Sequence, residues 1–169
     1  MNEDVEIIWS KYNLAPLQDF QGLTPNQMDS LLYKPYSKTS PVQLKDNLTD
    51  QVLDKIPYFR LTEELLKIIE LKGRLKLTTT TKSLPTNVIQ ALYNYKFITD
   101  PFVEEGIWKI KREKNSDLFT TLNITTRGME FIKFNRGELV FTKSGIEWLK
   151  TKDRNKLFES IAKNLYRKV

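Results

Sequence analysis

The chain has 169 residues, of which 40% are hydrophobic and 28% are charged, a balance that predicts one compact folded body rather than a disordered chain. It contains no Cys and no His, which excludes disulfides, thiolate zinc sites and most hydrolase triads. The net charge of +6 is uneven, because residues 1–59 hold 5 Lys and 8 acidic residues and the remainder holds 22 basic and 13 acidic residues.

These features limit the classes of function. No P-loop or Gly-rich dinucleotide turn is present in the sequence, so we predict no enzymatic activity, no cofactor and no metal. An acidic start and the lack of a run of roughly 18 apolar residues predict a cytoplasmic protein without a membrane partner. The basic excess is typical of nucleic-acid binding, but also of an ordinary Lys-rich solvated surface.

The clearest signal in residues 1–59 is a helix start. Thr24 can cap, Pro25 suits the first helical position, and Gln27 completes a capping box, which predicts a helix over residues 25–33. We expect that helix to bury Met28, Leu31 and Leu32. A shorter helix is predicted over residues 5–12.

Residues 60–96 predict a helix, a strand and a second helix. Residues 61–71 have an apolar stripe at helical spacing, and Gly73 is suited to end that helix in the left-handed conformation. Residues 74–78 then alternate with period two, as a half-buried strand does. Pro85 opens the second helix. Its apolar side is formed by Val88, Leu92 and Tyr95.

Residues 97–169 predict a β-hairpin between helices. Ile107, Trp108 and Ile110 fit either a short strand or an irregular packing segment, and for residues 97–114 we favour extended structure. A helix is predicted over residues 118–127. Two alternating stretches flank the Gly-containing turn at residues 135–137, which indicates a hairpin. Helical spacing returns at residues 143–149, and a last helix is predicted over residues 154–167.

Two segments repeat a short pattern. Gly, Leu, a second apolar residue and Thr align between residues 73–78 and residues 137–142. This similarity indicates either a duplicated unit or a chance match, since a Gly, a strand and a helix start at Thr often follow one another in proteins. The second segment resembles the end of a winged-helix domain, where a wing hairpin runs into a helix through an L-x-[LF]-T-x-x-G-x-x-x-L pattern. The matching residues are Leu139, Phe141, Thr142, Gly145 and Leu149.

A wider resemblance covers roughly residues 20–150. The chain resembles a bacterial family of uncharacterised proteins, some of them plasmid-encoded. The resemblance is carried by residues 22–28, 31–33 and 35, the helix that ends at Gly73, residues 75–78, Leu84-Pro85 and Leu92-Tyr93. That family usually has Gly and Asn ahead of the Leu-Pro pair, where this chain has Lys82 and Ser83. The family has no established activity, so the resemblance implies a fold with winged-helix-like units and not a function.

The prediction is therefore a predominantly helical α+β fold with one or two winged-helix-like units and a small β-hairpin. We expect a single body made of an N-terminal helical segment (1–59), a helix–strand–helix unit (60–96) and a winged-helix-like unit with a C-terminal helix (97–169). The sequence contains no indication of the oligomeric state.

Two functions stay open. In the first, the chain binds DNA: the helix before the hairpin enters the major groove and the wing contacts phosphates. The residues expected at that interface are Thr120, Thr121, Asn123 and Arg127 in the groove, Lys133, Arg136 and Lys143 on or beside the wing, and Lys111 and Arg112 as flanking contacts. In the second, the chain is a protein-interaction or scaffold module. Its candidate anchor patch is Tyr33, Tyr36, Tyr58 and Phe59.

Overall fold

A computed structural model describes residues 3–166, with side chains from Glu6 onward. Helices hold 56% of the residues and the strands form one small three-stranded antiparallel sheet, which confirms the predominantly helical α+β fold. The chain divides into two compact units, residues 1–46 and residues 47–169. This division lies ahead of the predicted boundary at residue 59, because Leu53 belongs to the buried core of the second unit.

The first unit contains α1 (Glu3–Leu14), a 3₁₀ turn (Gln18–Phe20) and α2 (Pro25–Tyr33). The predicted capping box is present: the backbone N–H of Gln27 donates to Thr24 Oγ1 at 3.1 Å, and the N–H of Thr24 donates to Gln27 Oε1 at 2.9 Å. Leu32 is 57% exposed, so its predicted burial is wrong. The helix buries the side that holds Ser30, and Leu32 lies about 200° around the axis from it.

The second unit contains seven helices of at least four residues and three strands within residues 47–166. They are α3 (Asp50–Leu53), α4 (Pro57–Lys72), β1 (Leu75–Lys76), α5 (Thr86–Tyr93), α6 (Pro101–Glu104), α7 (Asp117–Gly128), β2 (Ile132–Asn135), β3 (Glu138–Phe141), α8 (Lys143–Thr151) and α9 (Arg154–Tyr166). Arg167, the predicted end of the last helix, lies outside the described residues.

The sheet joins the two parts of the chain that share the repeated pattern. Its strand order is β1-β3-β2, and β1 pairs antiparallel with β3 through Leu75 opposite Leu139 and Lys76 opposite Glu138. The two similar segments are therefore neighbouring strands of one sheet. Residues 60–96 and 97–169 share that sheet instead of forming two separate units.

Local signals explain most element ends in this unit. Gly73 ends α4 with φ at 69°, in the left-handed region where glycine is favoured. The β2–β3 turn has positive φ at Arg136 (48°) and Gly137 (87°), which is the pattern of a type I′ hairpin turn. Thr142 caps α8 by accepting the N–H of Gly145 at 3.0 Å.

The prediction of extended structure in residues 97–114 is wrong in part. This segment contains α6 and the start of a 3₁₀ turn at Glu113–Asn115. Asp100 caps α6 by accepting the N–H of Phe102 at 2.9 Å, and Pro101 occupies the first helical position. Asp followed by Pro is itself a helix-start signal, so the sequence contained the information for α6.

The part of the chain that the structure describes has no helix with both the length and the apolar character needed to cross a bilayer.

Candidate nucleic-acid interface

Helix α7 presents one side to the core and another outward. Its buried residues are Phe119, Leu122, Asn123, Thr125 and Thr126. The outward side has the spacing of one helix face and consists of Asp117, Thr121, Ile124 and, near the end, Arg127. The helix is 12 residues long and therefore spans about 18 Å.

The four predicted groove residues of α7 differ in where the structure places them. Thr121 and Arg127 are exposed on the outward side. Thr120 is half-buried, and its hydroxyl donates to the backbone oxygen of Glu113 at 3.3 Å. Asn123 is only 2% exposed, so its prediction as a groove contact is wrong.

Asn123 is buried because it belongs to a hydrogen-bonded network around Glu113. The Glu113 carboxylate accepts the backbone N–H of Leu84 at 2.5 Å and the Asn123 side-chain amide at 3.0 Å. The same amide nitrogen donates to the backbone oxygen of Lys82 at 3.1 Å. We call Glu113, Asn123 and Leu84 the Glu113 network; it fixes the segment before α5 and the 3₁₀ turn against α7.

Sequence reasoning missed Glu113, which is 6% exposed. It lies in the run Lys111-Arg112-Glu113-Lys114, where a charged surface is the ordinary expectation. Its two partners are 29 and 10 residues away in the chain, so no local pattern shows that its carboxylate turns inward.

The hairpin is held close to the C-terminal end of α7. The Arg127 guanidinium lies 4.6 Å from the ring centroid of Phe134 on β2, a cation–π distance. Lys133, next along β2, lies opposite Val140 and is exposed. Arg136 is exposed at the turn. Arg127 therefore lies beside the face of β2 that holds Phe134, whereas Lys133 points to the other face of the strand.

The remaining predicted cations lie elsewhere on this unit. Lys111 and Arg112 are exposed in the segment that leads into the N-terminal end of α7. Lys143 is exposed at the start of α8, at the opposite end of β3 from the turn. The structure therefore places predicted cations at both ends of α7 and a further one at the base of the hairpin.

Most ion pairs of the second unit involve α3, α4 and α9, and not α7 or the hairpin. Arg154 on α9 contacts the carboxylates of Asp54 and Glu63, each at 2.8 Å, and its hydrogen bond with Glu63 raises the pKa of the guanidinium. The hydrogen bond from Arg154 in turn lowers the pKa of Asp54. On the hairpin, Glu138 pairs with Arg74 at 3.6 Å.

By contrast, no ion pair within residues 3–166 involves the predicted interface cations. These are Lys111, Arg112, Arg127, Lys133, Arg136 and Lys143. Residues 47–169 hold 23 basic and 15 acidic residues, a net charge of +8, so this unit holds the positive charge of the chain. These interface cations therefore have no direct ion-pair partner in the described part of the chain, while Asp117 adds one negative charge to the outward side of α7.

The anchor patch of the alternative function does not form as predicted. Phe59 is 1% exposed and belongs to the core of the second unit. Tyr58 is half-buried, and its hydroxyl donates to Thr125 Oγ1 at 3.1 Å. Tyr33, which is 76% exposed, and Tyr36 lie in the first unit.

Comparison of the chain with known protein families, with curated proteins and with solved structures found no match. The resemblance to the bacterial family of uncharacterised proteins stays a prediction. The geometry and charge of the second unit are therefore the basis on which a function can be proposed.

Proposed function

We propose that residues 47–169 form a winged-helix-like unit that binds duplex DNA, with α7 in the major groove and the β2–β3 turn against the phosphate backbone. The observation that supports this proposal is the placement of exposed cations without carboxylate partners at both ends of α7. A major groove about 12 Å wide has a phosphate backbone on each side. A helix of about 18 Å with cations near each end suits that arrangement.

The order of elements supports the same proposal. A helix, a strand, three further helices and a hairpin follow one another from α4 to β3, and a hairpin directly after the groove helix is the expected order for a winged helix. On the outward side of α7, Thr121 can donate a hydrogen bond to a base edge or a phosphate, and Ile124 offers an apolar contact for a thymine methyl group. Arg127 is held by Phe134 near the wing, where it can contact a phosphate.

Neutralising two interface cations is the experiment that tests this function. We expect Arg136→Asn combined with Lys143→Gln to weaken binding of a labelled 20-base-pair duplex of random sequence at least about tenfold at 50 mM salt, because each lost phosphate contact also loses counterion release. Asn suits the positive φ of Arg136, so this variant keeps the hairpin turn. Fluorescence anisotropy measures the dissociation constants.

The matched control is Lys55→Gln combined with Lys72→Gln. Both lysines are exposed, neither is in an ion pair among the described residues, and the double change removes the same net charge. If the two double variants lose equal affinity for the duplex, the affinity depends on net charge alone, and the interface is not at α7 and the hairpin.

A different observation favours protein interaction as a second candidate function. On α1 five large apolar side chains are each more than half exposed: Ile7, Ile8, Trp9, Tyr12 and Leu14. A concentration of exposed large apolar side chains on one helix favours contact with another protein. If the wild-type chain does not bind the duplex at 50 mM salt, protein interaction becomes the better-supported function.

A further inference from the structure

Residues 94–116 separate α5 from α7, where a turn of three or four residues joins the two helices of an ordinary helix-turn-helix. Within this segment, Ile110 and Glu113 are buried, at 9% and 6% exposure. The residues between and around them are exposed cations, which we call the basic strip: Lys109, Lys111, Arg112 and Lys114. None of the four is in an ion pair within residues 3–166.

The basic strip begins beside two exposed aromatic rings. The rings of Phe102 and Trp108 lie with their centroids 5.3 Å apart and their planes at 54°, and we call them the ring pair. They are 52% and 49% exposed. Half-exposed aromatic rings beside a run of cations are typical of sites where nucleobases stack.

The ring pair forms one wall of an open cavity of about 600 Å³. Leu118 adds apolar surface, and Lys114, Asn115 and Asp117 contribute polar groups at the N-terminal end of α7. A cavity of this size, lined by apolar and polar residues in similar numbers, is within the size range of small-ligand sites.

Tyr93 also lines the cavity. Its hydroxyl donates to Glu104 Oε1 at 2.8 Å, and burial raises the pKa of the phenol, so it stays protonated at neutral pH. That hydrogen bond joins α5 to α6 at one side of the cavity.

We propose that this cavity accepts one unpaired nucleobase of a single-stranded nucleic acid, while the basic strip binds the phosphates of the same strand. The ring pair offers a stacking surface for the base, and Asn115 and Asp117 offer hydrogen-bonding groups for its edge. The inference rests on the proposed function, because it treats the same unit as a nucleic-acid-binding unit. It adds a second class of ligand, an unpaired strand, to the duplex.

The basic strip favours a nucleic-acid strand over a small aromatic molecule as the ligand of the cavity. A small anionic ligand in the cavity would use Lys114 at its rim, but it would leave Lys109, Lys111 and Arg112 without a partner. A strand has phosphates at regular spacing beyond the base that enters the cavity, and the exposed cations of the strip are placed to bind them.

The first test needs no mutation. We compare the binding of the full chain to labelled dT12 and to a 12-unit abasic strand, which has the same phosphates without bases. Loss of stacking is expected to weaken binding of the abasic strand about tenfold. Equal affinities for the two strands would overturn the inference, because binding would then depend on phosphates alone.

The second test locates the base. Trp108→Ala is expected to weaken dT12 binding about tenfold and to leave abasic-strand binding unchanged, since it removes a stacking surface and no charge. Ile107→Ala is the matched control, because Ile107 is 65% exposed and does not line the cavity. Equal effects of the two substitutions on dT12 would overturn the assignment of the base to the cavity.

A blunt duplex measured with the same proteins separates this inference from the proposed function. If duplex binding requires Arg136 and Lys143 while dT12 binding is insensitive to Trp108→Ala, the inference fails and the proposed function stands. If the duplex does not bind while dT12 binding requires Trp108, the proposed function fails and the cavity still binds a base.

Discussion

Replacing Glu113 by Leu is expected to lower the free energy of unfolding by about 3 kcal/mol, because it leaves two buried donors without an acceptor. The donors are the backbone N–H of Leu84 and one N–H of the Asn123 amide, both of which contact the Glu113 carboxylate; the amide nitrogen keeps its hydrogen bond to the backbone oxygen of Lys82. Water cannot replace the carboxylate easily, since Glu113 is 6% and Asn123 is 2% exposed. Urea denaturation followed by circular dichroism measures the free energy.

Two further variants show whether the hydrogen bonds cause this loss. Glu113→Gln keeps one oxygen acceptor, so we expect a smaller decrease in the free energy of unfolding, about 1 kcal/mol. Glu105→Leu makes the same substitution at an exposed position and is expected to change stability by less than about 0.5 kcal/mol. If Glu113→Leu is no less stable than Glu105→Leu, the Glu113 network does not hold α7 in place.

Replacing Gly145 by Ala is expected to destabilise the second unit by about 2–3 kcal/mol, although Ala is the better helix former. A Cβ atom at Gly145 would lie 2.2 Å from the backbone oxygen of Phe131 and 2.8 Å from Cδ1 of Phe141. That oxygen also accepts the backbone N–H of Thr142 at 3.0 Å, so the strand cannot move away without losing a hydrogen bond.

The sign of the change in stability for Gly145→Ala shows whether close packing or helix propensity dominates at this position. Helix propensity alone would stabilise Gly145→Ala by about 1 kcal/mol. The matched control is Ser144→Ala, at the neighbouring exposed position of α8, where no comparable contact restricts a side chain. A thermal unfolding midpoint for Gly145→Ala at or above that of the wild-type chain would contradict the close packing of α8 on the hairpin.

Features that depend on neighbouring residues can be predicted from the sequence. The capping box of Thr24 and Gln27, the left-handed Gly73 and the hairpin turn at Arg136 and Gly137 all involve partners within a few positions. The pattern around Thr142 and Gly145 is recognisable for the same reason, and the structure adds why a side chain is excluded at Gly145.

Features that depend on distant partners cannot be predicted in the same way. Helical spacing from Phe119 already places Asn123 on the core side of α7, so its polar side chain misled the prediction; only the fold shows that its amide contacts Lys82, 41 residues away in the chain. The similarity between residues 73–78 and residues 137–142 suggests two units, and only the pairing of Leu75 with Leu139 shows one shared sheet. Burial of Glu113 likewise follows from the fold and not from its charged neighbours.

The candidate site could be predicted in part. The structure leaves Lys111, Arg112, Thr121, Arg127, Lys133, Arg136 and Lys143 exposed. In the structure Asn123 is buried and bonded to Glu113, and the Thr120 hydroxyl donates a hydrogen bond to the backbone oxygen of Glu113. The cavity beside Phe102 and Trp108 does not follow from the sequence pattern. Asp100 and Pro101 signal the start of α6, but no local pattern shows that the turn after α6 brings the two rings together.

The salt dependence of duplex binding tests the central claim most directly. If the six exposed cations Lys111, Arg112, Arg127, Lys133, Arg136 and Lys143 each contact a phosphate, the logarithm of the association constant falls against the logarithm of salt concentration with a slope of about −5. For the Arg136→Asn and Lys143→Gln double variant we expect a slope shallower by about 2. A duplex that does not bind at 50 mM salt, or a slope that is the same for both proteins, would contradict the proposal that this unit binds DNA through α7 and the hairpin.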